Sequence, residues 1–232
     1  MLATVINALA IVAGSFIGIL LKKGLSKRFE TTIVTAAGVT TIVIGVQMAL
    51  KTNHILALAL ALILGGLIGT AIKIEDAVLR IGERLKNRFA RGEESGTFAL
   101  GFLTASVLYC SGAMAIIGSF KAGTEGDYSI LFTKSILDGT LSVLFASAMG
   151  IGVAFSAISV LAYQGILTLV SIWVKPYVTS LILSELTGIG GALVLMIGLN
   201  LLDIKKLKTG DFLPALVFTV LFVFAMPYVT FL

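Results

Sequence analysis

Apolar runs of about twenty residues fill the chain from Leu2 to Leu232, and short clusters of charge, glycine or proline separate them. A helix crossing ~30 Å of hydrocarbon needs roughly 20 such residues. A membrane barrel would instead alternate polarity over segments of about ten residues, and these runs do not alternate. The pattern therefore predicts an all-α, polytopic helical membrane protein, one integral membrane domain over residues 1–232. Its segments lie at about 2–21, 30–50, 54–73, 98–120, 128–148, 151–174, 180–202 and 211–231. The long run 128–174 reads as two helices that meet at Met149-Gly150-Ile151-Gly152.

Composition agrees, with 58% hydrophobic residues, 12% charged residues and a mean hydropathy of +1.08, against about 25% charged in soluble domains. The net charge of +5 does not point to nucleic acid, because the cations cluster between spans, where the positive-inside bias places them. With eight helices, thirteen of the seventeen basic residues fall on one side, among them Lys22, Lys73, Arg80, Lys205 and Lys208. Seven helices would move Lys205, Lys206 and Lys208 to the other side. Eight transmembrane helices with both termini extracytoplasmic, in the cell inner membrane, are therefore expected. The first segment has its lysines after the apolar stretch and reads as a retained helix, not a secretory signal. One cysteine, Cys110, excludes an intramolecular disulfide and a zinc cluster, and one histidine, His54, leaves no His-based metal site. Neither a serine elbow nor a phosphate loop is present, so an enzyme and a cofactor are not expected.

Beyond the third segment, Ile74, Ala77, Val78, Ile81, Leu85 and Phe89 recur at helical spacing with charges between them. This predicts a cytoplasmic amphipathic helix and linker over 74–96, lying on headgroups or on a partner. An internal repeat is also suggested. Without gaps, Gly38 aligns with Gly191, Ile44 with Ile197, Gly45 with Gly198 and Gln47 with Asn200. Helices one to three (1–73) would then match six to eight (149–232) in opposite orientation, with 97–148 between them. Inverted repeats of this kind are common in transporters, with sites near the midplane at the repeat interface.

Candidate chemistry concentrates in Phe98–Gly165. Lys134 and Asp138 stand four apart on one helix face, and a charge at a span's centre costs at least ~2.5 kcal/mol on insertion scales. Asp138 would accept a proton or cation and Lys134 would be its partner or an anion contact. The alternative is a pair near the span's end with the lysine snorkelling outward. The run Leu108 to Ser119 carries Cys110, Ser111 and Ser119 among small residues, either for close packing or as a broken helix whose carbonyls and hydroxyls hold a ligand. Tyr163-Gln164 puts an amide inside the sixth segment, Glu185 is a second acidic candidate, and Asn200 and Asn7 add amides. Gly14 with Gly18, and Gly65 with Gly69, form GxxxG steps, ordinary signals of helix packing that could also serve a homodimer face. Pro214 and Pro227 suggest kinks in the last helix.

The run Leu108 to Ser119, then Lys134-Ser135-Ile136-Leu137-Asp138-Gly139, Gly150-Ile151-Gly152-Val153 with Ser156, and Tyr163-Gln164-Gly165 resemble the uncharacterised prokaryotic YdfK/YqgA-like membrane family, a domain of unknown function, over almost the whole chain. The resemblance implies a multi-pass bacterial inner-membrane protein and assigns neither substrate nor mechanism. The residues themselves favour a small transporter or channel for an ion or small polar solute, its pathway lined by the polar groups of helices four to seven. The alternative is a non-transporting sensor or scaffold that engages a partner through the 74–91 helix.

Overall fold

The computed structural model describes residues 1–22, 26–77, 80, 95–111, 113–174 and 179–225. The helices are α1 (Leu2–Lys22), α2 (Lys27–Ala49), α3 (Ile55–Ile72), α4 (Ser95–Ser111), α5 (Ala113–Thr124), α6 (Ser129–Met149), α7 (Gly152–Val174), α8 (Ser180–Leu201) and α9 (Ala215–Ala225), with a 3-10 turn at Thr209–Phe212 before α9. No strand occurs among the described residues. Six helices, α1, α2, α3, α6, α7 and α8, are long and apolar enough to cross a membrane. α4 and α5 qualify as a pair, bent by 58° at their break. Most of the proposed 74–96 helix and linker, with Gly112, Pro227 and the side chain of Ser111, lies outside the described residues.

The long run 128–174 breaks where the glycines are. Gly150 takes φ 77°, a conformation that costs a residue with a side chain, and its N–H closes α6 on the Ala146 carbonyl. At Gly152 a Cβ would stand 2.1 Å from the Phe98 carbonyl oxygen, so the absent side chain lets α4 lie against the start of α7. That contact opens a register that continues up α7. Ser106 meets Ser159 at 3.0 Å, and Gly123 faces Thr168 and Ser171. Both halves of the bent pair thus advance along α7 in one direction.

α1 and α6 are also parallel. A Cβ on Gly14 would be 2.1 Å from the Gly139 carbonyl oxygen and one on Gly18 2.3 Å from that of Val143. α2 and α8 are antiparallel, with Gly38 on Leu202, Gly45 on Leu195, Gly191 on Ala49 and Gly198 on Ile42. α3 meets α9 in the same sense, Gly65 against Ala215 and Gly69 against Asp211. Both GxxxG steps are therefore used inside the chain, and any pairing of two copies has to use another face. Small residues serve here because lipid offers helices no hydrophobic reason to associate, so close van der Waals approach must hold them.

Tyr109, Phe145, Met149, Leu193 and Ile197 form the main core, while Leu20, Ile136, Ile172 and Trp173 point outward. α6 is consequently inside-out: Ile136 is 72% exposed, whereas Lys134 and Asp138 on its other face are buried. Pro214 is not a kink. It precedes the first residue of α9 and its carbonyl accepts from Val217, a position at which a missing N–H is harmless.

At the end of the bundle that carries Lys22, Lys73 and Lys205, α3 closes on Lys73 in the left-handed conformation. There the Glu75 N–H donates to Asp211 Oδ1 at 2.9 Å, and the Gly210 N–H donates to Glu75 Oε2 at 2.6 Å. Burial holds the Glu75 carboxyl above the usual carboxylate range, more than the Gly210 N–H lowers it. This knot ties α3 to the turn before α9.

Candidate functional site

The backbone of α6 places Lys134 and Asp138 one turn apart on the buried face, and α1, parallel to it, brings Asn7 to the same level. Asn7 Nδ2 donates to Asp138 Oδ2 at 3.0 Å, and Lys134 Nζ donates to the same oxygen. The amide orientation follows from the chemistry, since the reverse would set two oxygens together. Asn7 Nδ2 also reaches Gln164 Oε1 of α7 at 3.4 Å. From α4, the Tyr109 ring lies 5.5 Å from Lys134 Nζ, and the Tyr109 hydroxyl pairs with Ser142 Oγ at 2.8 Å. Lys134 and Asp138 are each 5% exposed, and Asn7 and Gln164 are fully buried. Lys134 therefore does not snorkel toward the membrane surface. Its stem turns inward, because the carboxylate one turn on offers its ammonium an ionic partner inside the bundle.

Four helices thus meet around one carboxylate, and the cluster is incompletely satisfied. Asn7 Oδ1, Gln164 Nε2, Thr4 Oγ1 and Ser119 Oγ are buried without hydrogen-bond partners, as are Ser15 Oγ and Thr104 Oγ1. Each such atom costs about 1–3 kcal/mol. Other buried hydroxyls of these helices show what structural serines and threonines do. Ser135 donates to the Leu131 carbonyl, Ser156 to Val153 and Thr168 to Gln164, each at 2.7 Å. Thr4 lies three residues before Asn7 on α1. Ser119 lies one turn before Ala122, which packs with Ala3 and Leu131.

The remaining predicted residues fall elsewhere. Cys110 and Tyr163 line an apolar groove of about 670 Å³ with Phe102, Val107, Leu216 and Val220, each adjacent in sequence to a cluster residue, Tyr109 and Gln164. Glu185 is one turn into α8, away from the cluster. Its carboxylate accepts the Asn53 N–H at 2.7 Å and the Thr52 hydroxyl, fixing the turn between α2 and α3. Asn200, at the other end of α8, both donates to and accepts from the Leu207 backbone, at 2.9 and 2.7 Å. Such side chains near helix ends face loops with free N–H and C=O groups, and they satisfy those. Sequence reasoning passed over Tyr109 and Ser142 as site members. Nothing local placed Tyr109 beside Lys134. No group of three or more His, Cys, Asp or Glu suited to a metal occurs among the described residues.

The comparisons with known proteins agree with this picture of a membrane-embedded bundle. The chain is 32% identical over 232 residues to "Uncharacterized membrane protein YdfK" of Bacillus subtilis (strain 168), covering 97% of each. It is 30% identical over 214 residues to "Uncharacterized protein YqgA" of Escherichia coli (strain K12), covering 91% of each. No solved structure matches. Residues 2–224 match the family model described as "Protein of unknown function (DUF554)", and this multi-pass membrane protein belongs to that family.

Proposed function

We propose that the chain is a small carrier that moves an ion or small polar solute across the bacterial inner membrane, with Asp138, Lys134, Asn7 and Gln164 as its central site. The observation that carries this reading is the pair of unpartnered amide atoms, Asn7 Oδ1 and Gln164 Nε2, on side chains that join one buried ion pair. Packing alone would be served better by alanine or leucine at these positions, since neither leaves a polar atom bare in a medium without water. The closed state of the cluster favours a carrier between openings over a continuously open channel. Interruption of the span formed by α4 and α5 immediately after Tyr109 and Cys110 supports the same view, because broken helices in membranes are tolerated where they serve a cavity or site.

Eight crossings arranged as an inverted repeat belong to this proposal, with α9 in the last and both termini extracytoplasmic. Contact symmetry supports the repeat. Moving 153 residues along the chain carries Gly38 to Gly191 and Gly45 to Gly198. The same shift turns the contact of Gly45 with Leu195 into that of Ile42 with Gly198, and the contact of Gly38 with Leu202 into that of Ala49 with Gly191. These exchanged contacts are what a local two-fold axis between α2 and α8 would produce. The repeat would exchange the parallel pair α1 and α6 with the parallel pair of α7 and the bent α4 and α5.

The test is flux in vesicles holding the purified chain. Wild type is expected to move a small solute or ion down its gradient, and Asp138→Asn, still monodisperse, is expected to lose that flux. Vesicles without flux from either form, across inorganic cations, anions, amines and neutral polar solutes, would overturn the carrier reading and favour the scaffold.

A further inference from the structure

Lys134 is the element of the cluster that a carrier for inorganic ions does not require, and its surroundings describe what it stands in for. Its ammonium sits on a carboxylate, 5.5 Å from the centre of an aromatic ring, and Asn7, bonded to the same carboxylate, carries an unpartnered amide oxygen. Carboxylate, ring face and neutral acceptors are the groups that recognise an organic cation. An anion would meet Asp138, which lies between Lys134 and Asn7. The groove of about 670 Å³ that Cys110 and Tyr163 line is mostly apolar, and it lies on α4 and α7, the helices that also carry Tyr109 and Gln164.

We propose that Asp138, the Tyr109 ring and Asn7 form a seat for an alkylammonium or guanidinium solute, that Lys134 fills this seat when no solute is bound, and that the solute takes it in exchange for a proton. The proposal rests on the carrier reading and deepens it. Its charge balance is simple. One carboxylate neutralises one cation, so when the solute's cation takes the carboxylate, the proton on Lys134 leaves to the aqueous side and the lysine remains as a neutral amine. One positive charge enters and one leaves. Among the described residues, the groups gathered at Lys134 contribute no second charge: α6 supplies Asp138, α4 supplies Tyr109 with Cys110 next to it, and α1 supplies Asn7, which Gln164 of α7 joins.

Methylguanidinium is the probe, because a guanidinium stays charged at neutral pH and does not leak through lipid as a free base. Binding is measured on the detergent-purified full chain, and exchange in vesicles loaded with a pH dye. Wild type is expected to bind methylguanidinium and to lose luminal protons as it takes it up. Lys134→Met and Lys134→Gln, which remove the built-in competitor, are expected to bind it at least ten-fold more tightly and to take it up without proton movement, now driven by membrane voltage. Lys134→Arg, which keeps its charge permanently, is expected to lose uptake. Unchanged or weaker binding in Lys134→Met and Lys134→Gln, or wild-type uptake without proton release, overturns the inference. Flux of other solutes with no methylguanidinium binding overturns it while leaving the carrier reading standing. Binding strengthened in the Lys134 variants without flux from any form upholds the recognition site, overturns the exchange, and sinks the carrier reading.

Discussion

Replacing Asp138 by leucine tests whether the cluster is as dry as its geometry implies. The substitution leaves the Lys134 ammonium buried without its carboxylate and deprives Asn7 Nδ2 of its 3.0 Å acceptor. Breaking a buried pair by removing one partner costs about 3–5 kcal/mol, and the lost amide hydrogen bond adds about 1 kcal/mol. The ionic part has a ceiling. Discharging a lysine of ordinary pKa, about 10.4, at pH 7 costs about 4.6 kcal/mol at about 1.36 kcal/mol per unit, and the chain can always take that route. A loss of about 4–5 kcal/mol is therefore expected in equilibrium unfolding, read by steric trapping or denaturant titration in detergent micelles at pH 7. The double variant Lys134→Met with Asp138→Leu removes both charges at similar volume. It is expected to recover to within about 1 kcal/mol of wild type, since apolar replacement of a buried pair is often neutral or better. A single-variant loss under about 1 kcal/mol would mean that water reaches the ammonium, and a double variant as unstable as the single one would mean that charge matching is not what holds these helices.

Gly69→Ala places a Cβ 1.8 Å from the Asp211 carbonyl oxygen, whereas at Gly165 the nearest atom is a methionine methyl 3.5 Å away. Gly69→Ala should therefore lower the melting temperature clearly, by an overpacking cost of about 1–3 kcal/mol, and Gly165→Ala should leave it unchanged or slightly raised; equal melting temperatures would refute the packing of α3 on the turn before α9. Glu185→Ala removes the acceptor of the Asn53 N–H and the Thr52 hydroxyl, and faster hydrogen exchange at the Asn53 amide, with solute flux retained, is the expected result. At Glu75 burial raises the carboxyl pKa in the folded state, so the stability linked to this group is present at low pH and declines as pH rises through the folded-state pKa, above the usual carboxylate range. Glu75→Gln, which keeps an acceptor for the Gly210 N–H, should flatten that dependence, and a variant whose melting temperature varies with pH as the wild type's does would refute the assignment.

The segment pattern was legible because hydrocarbon imposes a length and an apolar composition on any helix that crosses it. α1, α2, α3, α6, α7 and α8 accordingly lie within a few residues of their expected bounds. Two local signals needed the tertiary structure for a shared reason. The glycine steps at Gly14 and Gly65 suited packing within the chain as well as a second copy, and Pro214 looked like a kink. Which helix fills a groove, and where a helix begins, depends on neighbours distant in sequence. The same limit applied within α8, where the polar character of Glu185 and Asn200 was plain and their attachment to loops, away from the ion pair, was not.

By itself the sequence determined that this chain is a helical membrane protein and that Lys134 and Asp138 share one face, because helical period and the cost of burying charge act within a single segment. Only the tertiary structure decided that Asn7, Tyr109 and Gln164 join that face, that the lysine turns inward, and that α4 and α5 form a bent pair. Those features arise where parallel helices close together on glycine, and the residues that meet there stand up to 157 positions apart.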